Sequence, residues 1–506
     1  MILQQPAGEE GKIPSGVSAS QGEDSFPSCR HLKWALVMLM LYFGGRLVYF
    51  AVTITPYAPP DEVTHFGKCM IYNHALFLPD NSPQSYPYGL VTNIPWLYYW
   101  IMGKALAVNI FGLQDIVFLR LLNIPLAFCT VYFVWRLLRI LTDDRLTQLL
   151  LVTVMTNTIM FSFLSAAVSY DNLTNLLAAM ALYYLFAFFK ERDGNLLALS
   201  ILCQLAGCLT KVTLLPLVLI MGLVLIVHER SALRRFPAAC ADFIRNAGRR
   251  TTLIMAALLV LLFLNAGLYG GNYLRYRSVN PSELDVLPLE NALQYRLAAR
   301  AYIFELFKEG RITAQQGMIM AQKISHPGDR ADTLAMIDYY ASRKFTMQPV
   351  MGVLAYQRIW FPNIIGTAFG IKGHLTMMNF GVGMVPLVVV IILSGIAFLI
   401  RWRIGDLGGL PACLAFISAA YSFYLMYGVN YGAYLDTLNP GVTLSGRYLF
   451  PIMGPLYILG SLYLARLFKG SKPRLWVVTV AIVVLVMNDF PFFLYHVTPD
   501  WFDWSP

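Results

Sequence analysis

The stretch APPDEVTHFGK, Ala58–Lys68, places Asp61, Glu62 and His65 directly after a hydrophobic run. Ionisable groups beside a lipid phase are expensive, and such positions point to function first. Asp61 and His65 are four residues apart, the spacing that puts two side chains on one helix face. Three more polar groups recur beyond other apolar runs: Asp171 in SAAVSYDNLTN, Lys211 in LTKVTLLPL and Arg447 in TLSGRYLFP. A carboxylate can take or return a proton, and an arginine or lysine can hold an oxyanion. Together they suit group transfer with an anionic leaving group. Each also has a purely structural reading. Asp61 follows two prolines and could cap a helix, Asp171 could start the next helix, Lys211 could snorkel to an interface, and Arg447 could anchor a span. The residues alone leave both readings open.

The elements that must carry these groups are written in the composition. The chain has 506 residues, 57% hydrophobic and 13% charged, with mean hydropathy +0.58; a soluble domain carries about 25% charged residues. Apolar runs long enough to cross a ~30 Å hydrocarbon layer recur, and the ~10-residue alternation of a membrane β-barrel is missing. The reading is an all-α polytopic membrane protein with about eleven spans. They lie near 34–54, 118–140, 147–166, 173–189, 195–210, 212–227, 252–271, 378–400, 410–428, 448–465 and 475–490. The seven cysteines are scattered without metal or disulfide spacing. A net charge of +10 follows from positive cytoplasmic loops and calls for no nucleic acid.

Charge also orients the chain. Ile94–Phe111 is the ambiguous run, short and containing Lys104. If it does not cross, the loops on the side of the N-terminus hold seventeen Lys and Arg and the opposite short segments hold five. That asymmetry favours an interfacial or re-entrant helix, a cytoplasmic N-terminus and an external C-terminus. The expected organisation is a disordered tail over 1–33, a transmembrane module over 34–270 with an external loop 55–117, and an external helical segment over 271–375. C-terminal spans follow over 376–490, then an external tail over 491–506. Asp61, Asp171, Lys211 and Arg447 all fall outside. The aromatic run YPYGLVTNIPWLYYW, with Trp96, reads either as an interfacial anchor or as a surface on which sugar rings stack.

The combination PPDEVTHF, SYDNLTNLL, LTKVTLLPL and GRYLFPIMGPL resembles a bacterial membrane-protein family catalogued as domain of unknown function 2142. That family is related to the GT-C superfamily of lipid-dependent glycosyltransferases, and the resemblance covers roughly residues 34 to 490. SYDN is also similar to the second acidic site of oligosaccharyltransferase catalytic subunits, where that loop helps to hold a divalent metal. The resemblance implies a GT-C-like fold in the bacterial cytoplasmic (inner) membrane. It implies an inverting glycosyltransferase that moves a sugar from a polyprenyl-phosphate donor to a cell-surface glycan such as O-antigen, on the external face. Asp61 would be the base, with Glu62 and His65 completing the catalytic group. Arg447 and Lys211 would hold the donor phosphate, while Asp171, Tyr170 and Trp96 would orient the acceptor. Asp61 and Asp171 could also share a Mg²⁺ or Mn²⁺ ion. A membrane-embedded donor needs no nucleotide loop, and no Gly-rich phosphate motif of the usual form occurs. Two rival readings are a flippase for lipid-linked sugars, whose folds show matching halves that this sequence lacks, and a non-catalytic scaffold of envelope assembly.

Overall fold

The computed structural model describes residues 29–230, 245, 247–324, 327–345, 350–378, 384–402, 409–441 and 443–504. The expected disordered tail lies outside them up to residue 28, as does most of the basic loop 228–250. Nearly every described element is helical, as an apolar chain requires when its backbone must satisfy its own hydrogen bonds. All eleven apolar runs form helices. Among the described residues seven helices are long and apolar enough to cross a membrane: Arg30–Thr53, Asp115–Leu141, Tyr170–Glu191, Arg249–Tyr276, Met384–Arg401, Leu410–Thr437 and Ser471–His496. An eighth is possible by length if α5 (Arg145–Thr156) and α6 (Ile159–Ser165), bent by 63°, count as one broken span. The other three runs give shorter helices, Gly194–Cys208, Leu214–His228 and Met453–Leu464. At 1.5 Å per residue, fifteen residues reach about 22 Å.

The helices that build the site are introduced in chain order. α1 (Cys29–Thr53) ends at the loop that carries Asp61, and α2 (Glu62–His74) begins directly after it. α3 (Leu97–Leu106) is the ambiguous run; its ten residues reach about 15 Å, and it packs against α2. Gly103 makes that approach possible, since a Cβ there would sit 2.8 Å from the Cys69 carbonyl oxygen and the Tyr72 Cβ. Lys104, the charge that made the run ambiguous, donates to the carbonyls of Tyr72 (3.1 Å), Asn73 and Ala75, and so caps the C-terminus of α2. α4 (Asp115–Leu141) packs against α7 (Tyr170–Glu191). α8 (Gly194–Cys208) and α9 (Leu214–His228) flank Lys211, and α10 (Arg249–Asn265) follows.

Beyond α10, a small cluster of helices has its own core. α11 (Arg296–Lys308), α12 (Ala314–Ala321) and α13 (Pro327–Phe345) close around Ala299, Ile303, Phe304, Ile324 and Ile337. Within the segment 271–375, α14 (Val353–Ala368) packs against apolar helices: Tyr356, Trp360 and Ile364 bury against Leu425, Met426, Tyr434 and Leu444. Arg358 and Pro362 interrupt its apolar run and mask it in the sequence. A hairpin of β1 (Ile371–Lys372) and β2 (Thr376–Met377) comes next. α15 (Met384–Arg401), α16 (Leu410–Phe423), a 3₁₀ segment Gly446–Ile452, α17 (Met453–Leu464), α18 (Ser471–Met487) and α19 (Phe490–His496) complete the chain.

Two long-range ties set the frame. Arg46 of α1 is 2% exposed and pairs with Asp489, while donating to the Thr156 carbonyl (2.8 Å) at the bend between α5 and α6. The C-terminal tail folds back on the end of α1. The Thr55 N–H donates to the Trp501 carbonyl (2.9 Å), the Trp504 indole to the Thr53 carbonyl (3.0 Å), and the Trp501 ring meets Phe163 and Phe493.

Candidate functional site

Asp61 has φ 60 and ψ 12, the left-handed region that Asp tolerates better than most residues. It occupies the N-cap position of α2, yet its side chain makes no capping hydrogen bond. The helix-cap reading therefore fails. Its backbone N–H donates to His374 Nε2 (3.2 Å), and the hairpin that carries His374 buttresses this loop through the Ala58 carbonyl, which accepts from the His374 N–H at 3.0 Å. The carboxylate is thus turned away from the helix. Arg296 Nη2 donates to Asp61 Oδ1 at 2.7 Å, and Arg447 Nη2 to Oδ2 at 3.3 Å.

Arg447 joins two sites that lie far apart in sequence. Its Nη1 is 3.8 Å from Asp171 Oδ2, and Asp171 also accepts from the Lys211 ammonium. Asp171 reaches this point because Ser169 caps α7, its hydroxyl accepting from the Asp171 N–H. Lys211 comes from the turn between α8 and α9. Arg447 leads the 3₁₀ segment, whose start at Gly446 is pressed against the end of α14. A Cβ at Gly446 would lie 2.6 Å from the Ala368 nitrogen and the Ile364 carbonyl oxygen. Tyr170 covers the group, its ring 4.6 Å from the Lys211 ammonium and edge-on to His65 at 4.5 Å.

Three cations, Arg296, Arg447 and Lys211, thus meet two carboxylates, leaving a surplus of positive charge that suits an anion. Burial would raise the Asp61 pKa, but Arg447, His65, Arg296 and His374 outweigh it and hold the carboxyl well below the usual range. The need for a raised pKa, expected of a base near neutrality, is not met in this state. Burial lowers His65 to about 3, so its imidazole is neutral at pH 7. His65 Nδ1 lies 2.9 Å from the Tyr99 hydroxyl. Burial also opposes the charges on Arg447 and Lys211; their acidic neighbours prevail and raise both.

Glu62 stands apart from this group. It is fully buried and accepts from Arg120 Nε (2.8 Å), Arg120 Nη2 (2.5 Å) and the Val168 N–H (2.7 Å). Arg120 Nη1 also donates to the Ile54 carbonyl (2.6 Å) and to that of Ala51 (3.1 Å), and Trp504 lies 5.3 Å from its guanidinium. The pair ties together α1, α2, α4 and the turn before α7. Both Glu62 oxygens are thus engaged by Arg120 and the Val168 N–H, and the residue is placed to hold the start of α2 beside Asp61. Trp96, expected to orient the acceptor, lies apart from Asp61. It is 5% exposed, stacked edge-on against Phe77 at 5.1 Å in the α2–α3 core, and no contact brings it to Asp61 among the described residues.

The divalent-metal expectation meets a specific obstacle. The Arg447 guanidinium bridges Asp61 and Asp171, and among the described residues no three His, Cys, Asp or Glu side chains converge. The two carboxylates by themselves do not fit a Mg²⁺ or Mn²⁺ site. Sequence reasoning missed Arg296, His374 and Arg120. Arg296 is one of several arginines in the polar segment 271–375, and His374 sits in a loop with no motif. Arg120 was legible only as a charge inside an apolar helix.

No family model matches the chain, and no curated protein matches it. Among solved structures, an oligosaccharyltransferase from Archaeoglobus fulgidus, tethered to an acceptor peptide, aligns over 91% of this chain and 55% of its own, with 13% identity and a TM-score of 0.41. The chain thus spans about half of that enzyme's length. ArnT from Cupriavidus metallidurans aligns in its apo state (12% identity, TM-score 0.37) and bound to undecaprenyl phosphate (11%, 0.36), each over 85% of this chain and 77% of ArnT.

Proposed function

We propose that this chain is a GT-C-like membrane glycosyltransferase, transferring a sugar from a polyprenyl-phosphate donor to a cell-surface glycan outside the cytoplasmic membrane. The observation that carries this is the bridge Asp61–Arg447–Asp171–Lys211, assembled from four separate parts of the chain with positive charge in excess. An apolar cavity of about 580 Å³ supports it. Its lining includes Trp360, Ile364, Leu387, Gly446, Leu449 and Tyr457, and Gly446 directly precedes Arg447. A polyprenyl tail suits such a wall, with its phosphate at the guanidinium.

In this reading the acceptor hydroxyl attacks the anomeric carbon while Asp61 takes its proton. The glycosidic bond to phosphate breaks, and the lipid phosphate leaves with the electron pair, held by Arg447 bidentately and by Lys211 as a point charge. No separate acid is needed, since the leaving phosphate is already a stable anion. The donor phosphate competes with Asp61 for Arg447, and this exchange raises the basicity of Asp61 when donor is present. Inversion at the anomeric carbon follows from a single displacement. The O-antigen-like acceptor is the natural partner for a site on that face.

The test places the purified chain in lipid nanodiscs with radiolabelled polyprenyl-phosphate sugars and envelope glycans. Wild type is expected to label glycan. Asp61→Asn is expected to lose about 10²–10⁴-fold in rate, the usual worth of a positioned base. Full transfer by a folded Asp61→Asn protein removes the base assignment, and label crossing the bilayer without covalent transfer replaces the enzyme by a flippase.

A further inference from the structure

Lys68 is the buried cation that the mechanism does not use. It lies on α2 three residues after His65, on the same helix face, and is 7% exposed. Its ammonium sits 5.5 Å from the Tyr99 ring centroid and makes no hydrogen bond or ion pair among the described residues. The neighbouring cations are different. Arg120 holds Glu62, Arg296 and Arg447 hold Asp61, Lys211 holds Asp171, and Lys104 and Lys372 donate to backbone carbonyls. The stem of Lys68 is buried, while its ammonium has only the Tyr99 ring face beside it among the described residues and its donors stay open. Glu283, in the short helix Glu283–Val286 of the external segment, is its strongest charged neighbour, yet stays out of ion-pair contact. Its field favours the charged ammonium while leaving the donors unengaged. Burial brings Lys68 down to about 8, which still leaves it largely protonated at neutral pH.

Its position relative to the bridge gives the direction. Lys68 lies against the Tyr99 ring, whose hydroxyl meets His65 Nδ1 at 2.9 Å, whereas Arg447 and Lys211 both lie against the Tyr448 ring, at 5.3 and 5.5 Å. Lys68 thus sits on the Tyr99 flank of His65, and Arg447 and Lys211 on the Tyr448 flank. On the reading above, with donor phosphate at Arg447, an in-line attack brings the acceptor from that opposite flank. We infer that Lys68 binds a negatively charged group of the acceptor, so that the accepting glycan carries a carboxylate or a phosphate beside the attacked hydroxyl. This rests on the proposed transfer for the word acceptor, but the anion site itself can be tested without donor or turnover.

The experiment measures binding of fluorescent trigalacturonate, a tetrameric glycerol phosphate and neutral maltotriose to the full chain in nanodiscs, as wild type, Lys68→Met and Lys68→Arg. Wild type is expected to bind at least one charged probe ten-fold or more tighter than maltotriose. Lys68→Met is expected to remove that preference and Lys68→Arg to keep it; the probe that shows it distinguishes carboxylate from phosphate. Thermal unfolding supplies the second readout, with Lys68→Met melting no lower than wild type because an unpaired charge has gone. Equal binding of charged and neutral probes by wild type overturns the inference. So does a preference that survives in Lys68→Met, or a lowered melting point in Lys68→Met, which makes the lysine structural. Loss of polyprenyl-phosphate binding in Lys68→Met moves the residue to the donor side and overturns it as well. A preference lost in Lys68→Met while Asp61→Asn still transfers label would leave the anion site standing and the proposed base removed.

Discussion

Asp61 and Glu62 are adjacent in sequence and lead opposite lives. The left-handed backbone at Asp61 sends one carboxylate to Arg296 and Arg447, while the first turn of α2 buries the other against Arg120. Removing one partner of a buried pair leaves the other charge uncompensated, at about 3–5 kcal/mol. Glu62→Gln is therefore expected to lower the unfolding midpoint clearly, and a Glu62→Met/Arg120→Met double variant to recover part of the loss. Differential scanning fluorimetry in detergent measures both. His65 gives a pH prediction of definite sign. Its folded pKa, about 3, lies below the ordinary His value of about 6.5. Between those pH values the unfolded chain binds a proton that the folded chain does not. Stability then falls as pH drops from about 6.5 toward 3, by up to about 1.4 kcal/mol per pH unit from this group. His65→Gln is expected to flatten that part of the pH–stability curve. The sequence displayed the residue types of this site, but not their pairing. PPDEVTHF marks Asp61, Glu62 and His65 alike, and which carboxylate faces the site depends on one backbone dihedral and on Arg120, fifty-eight positions away.

At the scale of elements, the site is a meeting of ends: the start of α2, the first turn of α7, the α8–α9 turn and the 3₁₀ segment after Gly446. Apolar periodicity announces helices and their approximate limits, so the eleven runs were readable. It says little about which ends converge, because convergence depends on contacts such as Gly446 on Ala368 and Gly103 on Cys69. Gly446→Val is expected to push the 3₁₀ segment off α14 and displace Arg447. Transfer activity should fall by an order of magnitude or more in protein that still elutes as a monodisperse species, since the clash is local. The helices α11–α13 are tied to the site by Arg296 on Asp61. Arg296→Gln is expected to loosen that tie, seen as faster proteolysis in the exposed turn around Glu309–Arg311 that follows α11. α14 was invisible as an apolar packing element because Arg358 and Pro362 break its pattern. Only the partners that surround Tyr356, Trp360 and Ile364 reveal its place.

For the molecule as a whole, residues 501–504 close back on the end of α1. Trp501 is 3% exposed between Phe163 and Phe493, and Trp504 lies over Arg120 behind the Glu62 pair. Trp501→Ala is expected to cost about 3–5 kcal/mol, as for other buried tryptophans, and to reduce transfer through loss of support at the α1–α2 loop. A sequence reading that treats residues 491–506 as a tail has no means of seeing this, since Trp501, Phe502 and Trp504 at its polar end look the same whether docked or free. The pairing of Arg46 with Asp489 carries a further consequence, one of timing. A ribosome adds about 5–20 residues per second, so the arginine of the first helix is made about 20–90 seconds before the aspartate that neutralises it. Throughout that interval a newborn guanidinium sits in an unfinished bundle, with the Thr156 carbonyl and Asn157 as its first companions. The Arg46–Asp489 pair that joins α1 to the start of α19 cannot form until residue 489 has been made.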